Sequence, residues 1–200
     1  MHLEDFKGKP EKLEPMDIYL LSKLQTIINN STKSFLDYDY SKTKLEVENF
    51  FWHTFCDNYL EIIKDRLYNP ERRGKQERES ALYVLHTALL TILKLMAPIL
   101  PHITEEIYQL YFKEKKSIHI TDWPKADQNL IDKKIEIAGD EVINIISQVR
   151  QFKNKNQKSL KTPVKLTLLK SASTELFLDD LKSTTSATEI KFGKKFKITF

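Results

Sequence analysis

The sequence predicts a mainly α fold, an antiparallel helical bundle followed by a small α+β C-terminal subdomain. Three observations carry this prediction. Apolar residues recur at helical spacing over most of the chain, as at Ile18, Leu21, Leu24, Ile27 and Ile28. Four glycines in 200 residues disfavour both an all-β fold with many tight turns and a glycine-rich nucleotide loop. Near the end the pattern changes, and "VKLTLL", "EIKF" and "KFKITF" alternate or concentrate β-formers. The bundle is therefore placed in residues 1–125, and a long helix with a small basic α+β tail in residues 126–200.

The first helix is predicted over residues 15–36. The polar stretch "DYDYSKTK" leads to a second, with Ser41 as the expected N-cap, and that helix should run to about Leu67. Pro70 and Gly74 break "YNPERRGKQERES" into a loop. A buried helix should begin at or just before Ser80 and end near Ala97, because Pro98 disfavours helix in the residue before it. "PILPHITEEIYQLYFK" reads as a sharp bend and a further helix, with Glu105 and Glu106 in its first turn facing the positive dipole end. Residues 128–153 form one more long helix carrying Ile131, Ile135, Val142, Ile145, Ile146 and Val149. After the basic loop "KNKNQKSLKTP" come three short strands, with a helix at "STELFLDDLK" between the first two and a hairpin at Gly193.

Composition bounds the setting. A content of 40% hydrophobic and 30% charged residues is that of a globular chain rich in exposed helix. One cysteine rules out an internal disulfide framework, and the charged opening "MHLEDFKGKPEKL" has no signal-peptide character. A cytoplasmic monomer is expected. Residues 81–100 have the length of a membrane span, but His86, Thr87, Thr91 and Lys94 interrupt them and Pro98 stops them. A bundle helix buried on most of its circumference is expected instead, with no membrane contact.

Residues 50–63, "FFWHTFCDNYLEII", hold the ingredients of a cysteine–histidine nucleophilic site. On a helix His53 and Asp57 are i,i+4 neighbours, with Cys56 three residues from His53. A nucleophilic cysteine, however, needs its thiolate stabilised by a helix N-terminus, a cation or a metal. Cys56 lies mid-helix beside a carboxylate, and no oxyanion hole is evident. Trp52, Cys56, Tyr59 and Ile63 share helical spacing, which describes a buried face with Cys56 as a small core residue. His86, His102 and His119 form no ligand spacing with Cys56. No catalytic residue and no metal ligand is assigned.

Charge points elsewhere. The formal net charge is +4, yet about 20 basic and 24 acidic side chains fall in residues 1–149, against about 12 basic and 4 acidic from Arg150 onward. A block of that sign attracts a polyanion or is simply a solvated lysine-rich surface. Single-stranded RNA is gripped by aromatic faces with Arg and Lys on the phosphates. Aromatic residues at helix ends (Tyr19, Phe35, Tyr38, Tyr68, Tyr108, Tyr111) and a second basic segment (Arg66, Arg72, Arg73, Lys75, Arg78) supply the materials.

The motifs "DIYLLSKL", "FFWHTFCDNYLEIIKDRLY", "LKLMAPILPHITEEIY", "SIHITDWP" and "VRQFKNK", in this order, resemble the C-terminal anticodon-binding region of class I aminoacyl-tRNA synthetases of the valyl, isoleucyl and leucyl group. Phe55-Cys56-Asp57-x-Tyr59-x-Glu61 preceded by Trp52 is similar to the valyl branch. The resemblance covers about residues 14–200 and implies a bundle that binds the anticodon of tRNA(Val), joined to a catalytic domain of the same polypeptide that uses ATP and Mg. It implies structural roles for Asp57 and Glu61, fixing neighbouring basic groups or helix ends. It also implies a stacking role for Tyr19, where the family carries Phe or Trp, and a pocket around Leu89. Arg150 and Lys153 match the family's R-x-x-K, and with Lys155, Lys158 and Lys161 are expected to face RNA. The family's His-Ile-Gly-His-like and Lys-Met-Ser-Lys-Ser-like signatures do not occur in the 200 residues, so this stretch holds no site for ATP and is expected to be inactive by itself. The ending "FKITF" fits a short archaeal-like tail or a truncated chain. The competing expectations are a helical protein-interaction module, docking another synthetase domain or a complex partner, and the equivalent domain of an isoleucyl- or leucyl-tRNA synthetase.

Overall fold

The structure, a computed structural model, describes residues 5–112, 116–169 and 172–200. Helix α1 (Pro15–Leu36) starts on a proline, whose missing N–H is one that no helix start can satisfy internally. It ends with Tyr38 at φ 60°, Tyr38 N–H donating to Phe35 O and Asp39 N–H to Ser34 O, the paired bonds that close a helix tightly. That closure sets Asp39, not the expected Ser41, as N-cap of α2 (Tyr40–Asn49), its carboxylate accepting from Lys42 N–H at 3.1 Å.

α2 continues without a break through a π-helical segment (Phe50–Leu60) into α3 (Glu61–Tyr68). The wider turn of the π segment changes which residues face inward. Phe50, Phe55 and Tyr59 are buried, and Trp52 is 57% exposed. The buried face expected from 3.6-residue spacing therefore fails at Trp52, and Cys56 is half-buried rather than enclosed.

A short helix α4 (Pro70–Arg73) occupies the expected loop, and Gly74, at φ 104°, turns the chain into α5 (Lys75–Met96). α5 thus begins before the expected start, and Ser80 lies buried inside it. α5 has the length and composition of a membrane span, but here it packs against α1, α3 and α6 (Pro101–Phe112), burying Ala81, Leu82, Val84 and Ala88. Glu105 and Glu106 stand in the second turn of α6, not the first; Lys113, at its expected end, lies outside the described residues. Glu105 instead holds the following segment, its Oε2 accepting from Ser117 Oγ at 2.9 Å and Ile118 N–H at 2.8 Å.

α7 (Lys133–Lys155) begins later than expected, after a 3-10 turn at Gln128–Leu130, and Asp132 caps it. It runs antiparallel to α1, as successive bonds from Ser22 Oγ to Glu136 Oε1 (2.6 Å) and Tyr19 Oη to Asp140 Oδ1 (2.8 Å) record, while Trp123 Nε1 in the segment before it donates to Thr32 Oγ1 (2.9 Å). Gly139 permits this approach, because a Cβ there would lie 2.2 Å from the Tyr19 ring.

The tail is a three-stranded sheet in the order β2-β1-β3, with β1 at Val164–Leu169, β2 at Ala187–Gly193 and β3 at Lys197–Thr199. β1 pairs parallel with β2 and antiparallel with β3. Gly193 therefore ends a strand whose successor lies across β1, so no hairpin forms there. The parallel pair needs a crossover, supplied by α8 (Ala172–Glu175) and α9 (Leu178–Thr185). Val164, Leu166, Leu168, Phe177 and Leu181 belong to the same buried core as the bundle residues Leu20, Tyr59 and Ile62. The core is continuous from bundle to tail.

At the centre of that core lies a charge. Arg66, 0% exposed, donates from Nη1 to Asp17 Oδ2 at 2.8 Å and from Nη2 to Asp17 Oδ1 at 3.1 Å. Its Nε faces Asp180 Oδ1 at 3.3 Å, and Arg73 Nη2 donates to the same oxygen at 2.9 Å. Tyr59 Oη donates to Asp17 Oδ1 at 2.7 Å, and Ser80 Oγ to Oδ2. Burial alone would lower the Arg66 guanidinium, but Asp17 and Asp180 outweigh it and push it above its ordinary range. Asp180 is raised from 3.8 to about 6 by burial, which exceeds the opposing pull of Arg66 and Arg73; Asp17 adds to the rise.

Removing one partner of such a buried pair leaves the other charge uncompensated. Arg66→Met is accordingly expected to lower unfolding stability by about 3–5 kcal/mol, read from urea denaturation. Asp180 binds its proton more tightly folded than unfolded, so its stabilising contribution is complete below about pH 3.8 and is lost as pH rises through about 6. Asp180→Asn should therefore lose more stability than the wild type on going from pH 7 to pH 4.5, as denaturation midpoints at the two values will show.

Candidate nucleic-acid interface

The basic residues of the C-terminal quarter divide by where α7 points them. Lys155, Lys158 and Lys161 are exposed. The end of α7 repeats the closure seen in α1: Gln157 stands at φ 54°, and Lys158 N–H donates to Lys153 O at 2.9 Å. The chain reverses there and presents Lys155 and Lys158 to solvent. Lys161 follows in the loop leading to β1. None of these three forms an ion pair among the described residues, so their charge is available to a polyanion.

Lys153 behaves differently and corrects the sequence expectation. Its side chain is 1% exposed, with Nζ donating to Leu160 O at 2.6 Å and to Thr185 O at 2.8 Å. Thr185 is the last residue of α9, so the ammonium caps the negative end of that helix. Burial lowers the Lys153 pKa from its ordinary value. This lysine is a clamp holding loop and α9 to α7, not an RNA contact. Arg150 is half-buried, and its Nη1 donates to Asp57 O at 3.2 Å, fixing it beside the π-helical segment.

The two expected pocket residues belong to different core clusters. Tyr19 is 2% exposed, its ring lying on Gly139 and its hydroxyl bonded to Asp140. Burial, with Asp140 next in weight, raises its pKa. An enclosed ring offers no face to a base, which corrects the expected stacking role. Leu89 is half-buried against a second, smaller cluster of Leu93, Ala97, Tyr108 and Ile118.

Apart from the exposed Lys75, the other basic segment is consumed internally. Arg66 is buried, Arg72 pairs with Asp65, Arg73 with Glu77 and Asp180, and Arg78 with Asp5. Among the aromatic residues at helix ends, Tyr108 joins Tyr19 inside, whereas Tyr38 (80%), Tyr68 (63%) and Tyr111 (41%) remain exposed. Asp57 and Glu61 contact His53 and Lys64 respectively, at 3.2 and 2.5 Å. The Cys56 thiol is pushed up by burial and then by Asp57, the opposite of what a nucleophile requires. Sequence reasoning missed Asp17, Ser80 and Asp180 as a set; the one available signal was a carboxylate at an otherwise apolar helix start, which reads equally well as a dipole partner.

A helical bundle joined through one core to a small tail that displays unpaired lysines is the kind of module that can meet a polyanion. The family described as anticodon-binding domain of tRNA ligase matches residues 17–168, and the chain belongs to it. Among curated proteins it is similar to a valine–tRNA ligase of Thermococcus kodakarensis, 38% identical over 169 residues, covering 82% of this chain and 19% of that protein. A valine–tRNA ligase of Rickettsia rickettsii is 36% identical over 209 residues, covering 98% and 25% respectively, and one of Ehrlichia canis 38% over 183 residues, covering 91% and 23%. The chain spans a quarter or less of the length of these relatives.

Lys153→Met strands the buried Thr185 carbonyl and frees that of Leu160, and is expected to cost about 1–3 kcal/mol of stability, read by thermal or urea unfolding. Lys158→Ala should leave stability unchanged and flatten the salt dependence of RNA binding by about 0.7–0.9, a separation that an anisotropy titration at several salt concentrations will reveal.

Proposed function

We propose that this chain is the anticodon-binding portion of a valine–tRNA ligase, gripping tRNA(Val) while a catalytic domain elsewhere on a longer, cytoplasmic polypeptide joins valine to the RNA with ATP and Mg. One observation carries the proposal: membership of the anticodon-binding family coincides with 36–38% identity to valine–tRNA ligases over 82–98% of the chain. No residue described here is assigned to ATP or Mg, and the 200 residues alone are proposed to activate no amino acid. In this reading the bundle is a scaffold, and Arg150, Lys155, Lys158 and Lys161 supply phosphate contacts. Leu89 borders the anticodon through its exposed half.

The test is a fluorescence-anisotropy titration of a labelled valine-anticodon stem-loop against one with the middle base changed, each at about 50 and 200 mM salt. The matched loop is expected to bind more tightly. The slope of log affinity against log salt should be roughly −3, from about four phosphate contacts at 0.7 to 0.9 each. Equal affinity for the two loops would overturn the specificity, and a flat salt response would overturn the phosphate contacts.

A further inference from the structure

We infer that the outer face of the three-stranded sheet in the tail is a second RNA surface, one that holds the phosphate backbone of a double-helical stem without reading its sequence. The inference rests on the RNA-binding reading above and adds to it a surface and residues that reading does not use. β1 alternates between core and water: Val164, Leu166 and Leu168 are buried, and Lys165 is exposed. Paired residues on neighbouring strands share a face of the sheet. Thr167 is paired with Lys191 of β2 on one side and Lys197 of β3 on the other, and Lys165 with Glu189 and Thr199. All three lysines are exposed, as are Lys194 and Lys195 in the turn from β2 to β3.

The charge of this face is largely unspent. Glu189 is the one carboxylate among these paired positions, and it lies 2.8 Å from Lys191 with both side chains well exposed. An exposed pair contributes little, so Lys191 stays within reach of a stronger anion. Lys165 meets the same carboxylate only through space, and neither it nor Lys197 forms an ion pair among the described residues. Neighbouring strands are about 5 Å apart and alternate residues of a strand about 7 Å. The three lysines therefore stand within about 10 Å of one another, about one Debye length at 0.1 M salt, and act as one field. Lysine on an edge strand guards against sheet-to-sheet pairing, which accounts for Lys191 and Lys197. β1 is the central strand, where no edge needs guarding, and Lys165 has no such purpose.

The same face excludes a single strand as its ligand. Unpaired bases need rings on which to stack, and the outward positions carry none: Phe192 pairs with buried Leu168 and belongs to the inner face. Gly193 leaves the outer side bare, because a Cβ there would lie 2.7 Å from Thr167 Cγ2. Lysines and threonine hydroxyls without a ring suit phosphate and sugar, which position an RNA but carry no sequence. Lys161, four residues before Lys165, lies at most about 14 Å from it, so the face continues the lysine-bearing loop that follows α7.

The experiment titrates the 200-residue chain with two labelled transcripts, tRNA(Val) and the same RNA with its middle anticodon base changed. Lys165→Gln, Lys191→Gln and Lys197→Gln together are expected to flatten the slope of log affinity against log salt by about 2–3, from three contacts at about 0.7 to 0.9 each. Both transcripts should weaken alike, with the anticodon preference and the denaturation midpoint unchanged. Lys165→Arg, Lys191→Arg and Lys197→Arg together keep the charge and should bind within about twofold of the wild type. Glu189→Gln removes the carboxylate from the face and should tighten binding about two- to fivefold, a gain that misfolding does not produce. Lys33→Gln, Lys42→Gln and Lys125→Gln together remove as much charge from exposed lysines at the α1–α2 end of the bundle and should leave the slope as it is. If the sheet triple keeps the wild-type slope while the wild type still prefers its own anticodon, the surface is overturned and the anticodon-binding reading stands. Equal flattening by the bundle triple also overturns it, since net charge alone would then be at work. So does a Glu189→Gln chain that binds no tighter. A wild-type chain that binds neither transcript overturns both.

Discussion

The guanidinium of Arg66 is out of water, and the arrangement of the chain around it follows from that. An isolated buried cation is costly, so its donors must meet oxygen, preferably charged oxygen. Asp17 from the start of α1 meets it in a two-point fork, the geometry that suits guanidinium and carboxylate best. Asp17 in turn takes hydrogen bonds from Tyr59 in the π-helical segment and Ser80 in α5, so three separate stretches of the bundle converge on one carboxylate. Asp180 then brings α9 of the tail to the other side of Arg66, where Arg73 shares it. Hydrophobic burial supplies most of the stabilisation, but it is non-directional. The ionic cluster supplies direction, tying α1, α3, α5 and α9 to one another through bonds of fixed geometry.

Registry matters because the surface proposed to face RNA is made of side chains whose positions depend on that packing. Lys153 extends the same logic outward. By capping α9 and binding the loop carbonyl of Leu160, it joins the end of α7 to the sheet-bearing tail. The exposed lysines beyond it are thereby mounted on a braced loop rather than a free tail. Two chemically identical residues, Lys153 and Lys155, so take opposite parts, one internal and one external.

Much of this was legible in the chain. Helix α1, the end of α5 at Pro98, β1 and the change from bundle to α+β tail are written in periodicity, breakers and β-formers. What escaped reading has identifiable causes. The π-helical turn shifted the inward face from Trp52 to Phe50 and Phe55, because hydrophobic spacing was judged against 3.6 residues per turn. The hairpin at Gly193 was inferred from two neighbouring runs of β-formers, but their pairing is decided by β1, which lies between them. The basic segment from Arg66 to Arg78 looked like a surface for phosphate; its carboxylate partners Asp17, Asp180, Glu77 and Asp5 lie up to more than a hundred residues away in sequence.

The sequence by itself determined the family, the helical class, the excess of positive charge after Arg150 and the mid-helix place of Cys56 beside a carboxylate, since composition, order of motifs and local spacing are properties of a linear chain. Only the tertiary structure decided which charges are spent inside and which remain for a ligand. It enclosed Tyr19 against Gly139 and turned Lys153 inward. The reason is that burial and ion pairing depend on which distant segments meet, and solvation of a charge or a ring is set by those neighbours rather than by the residue's own type.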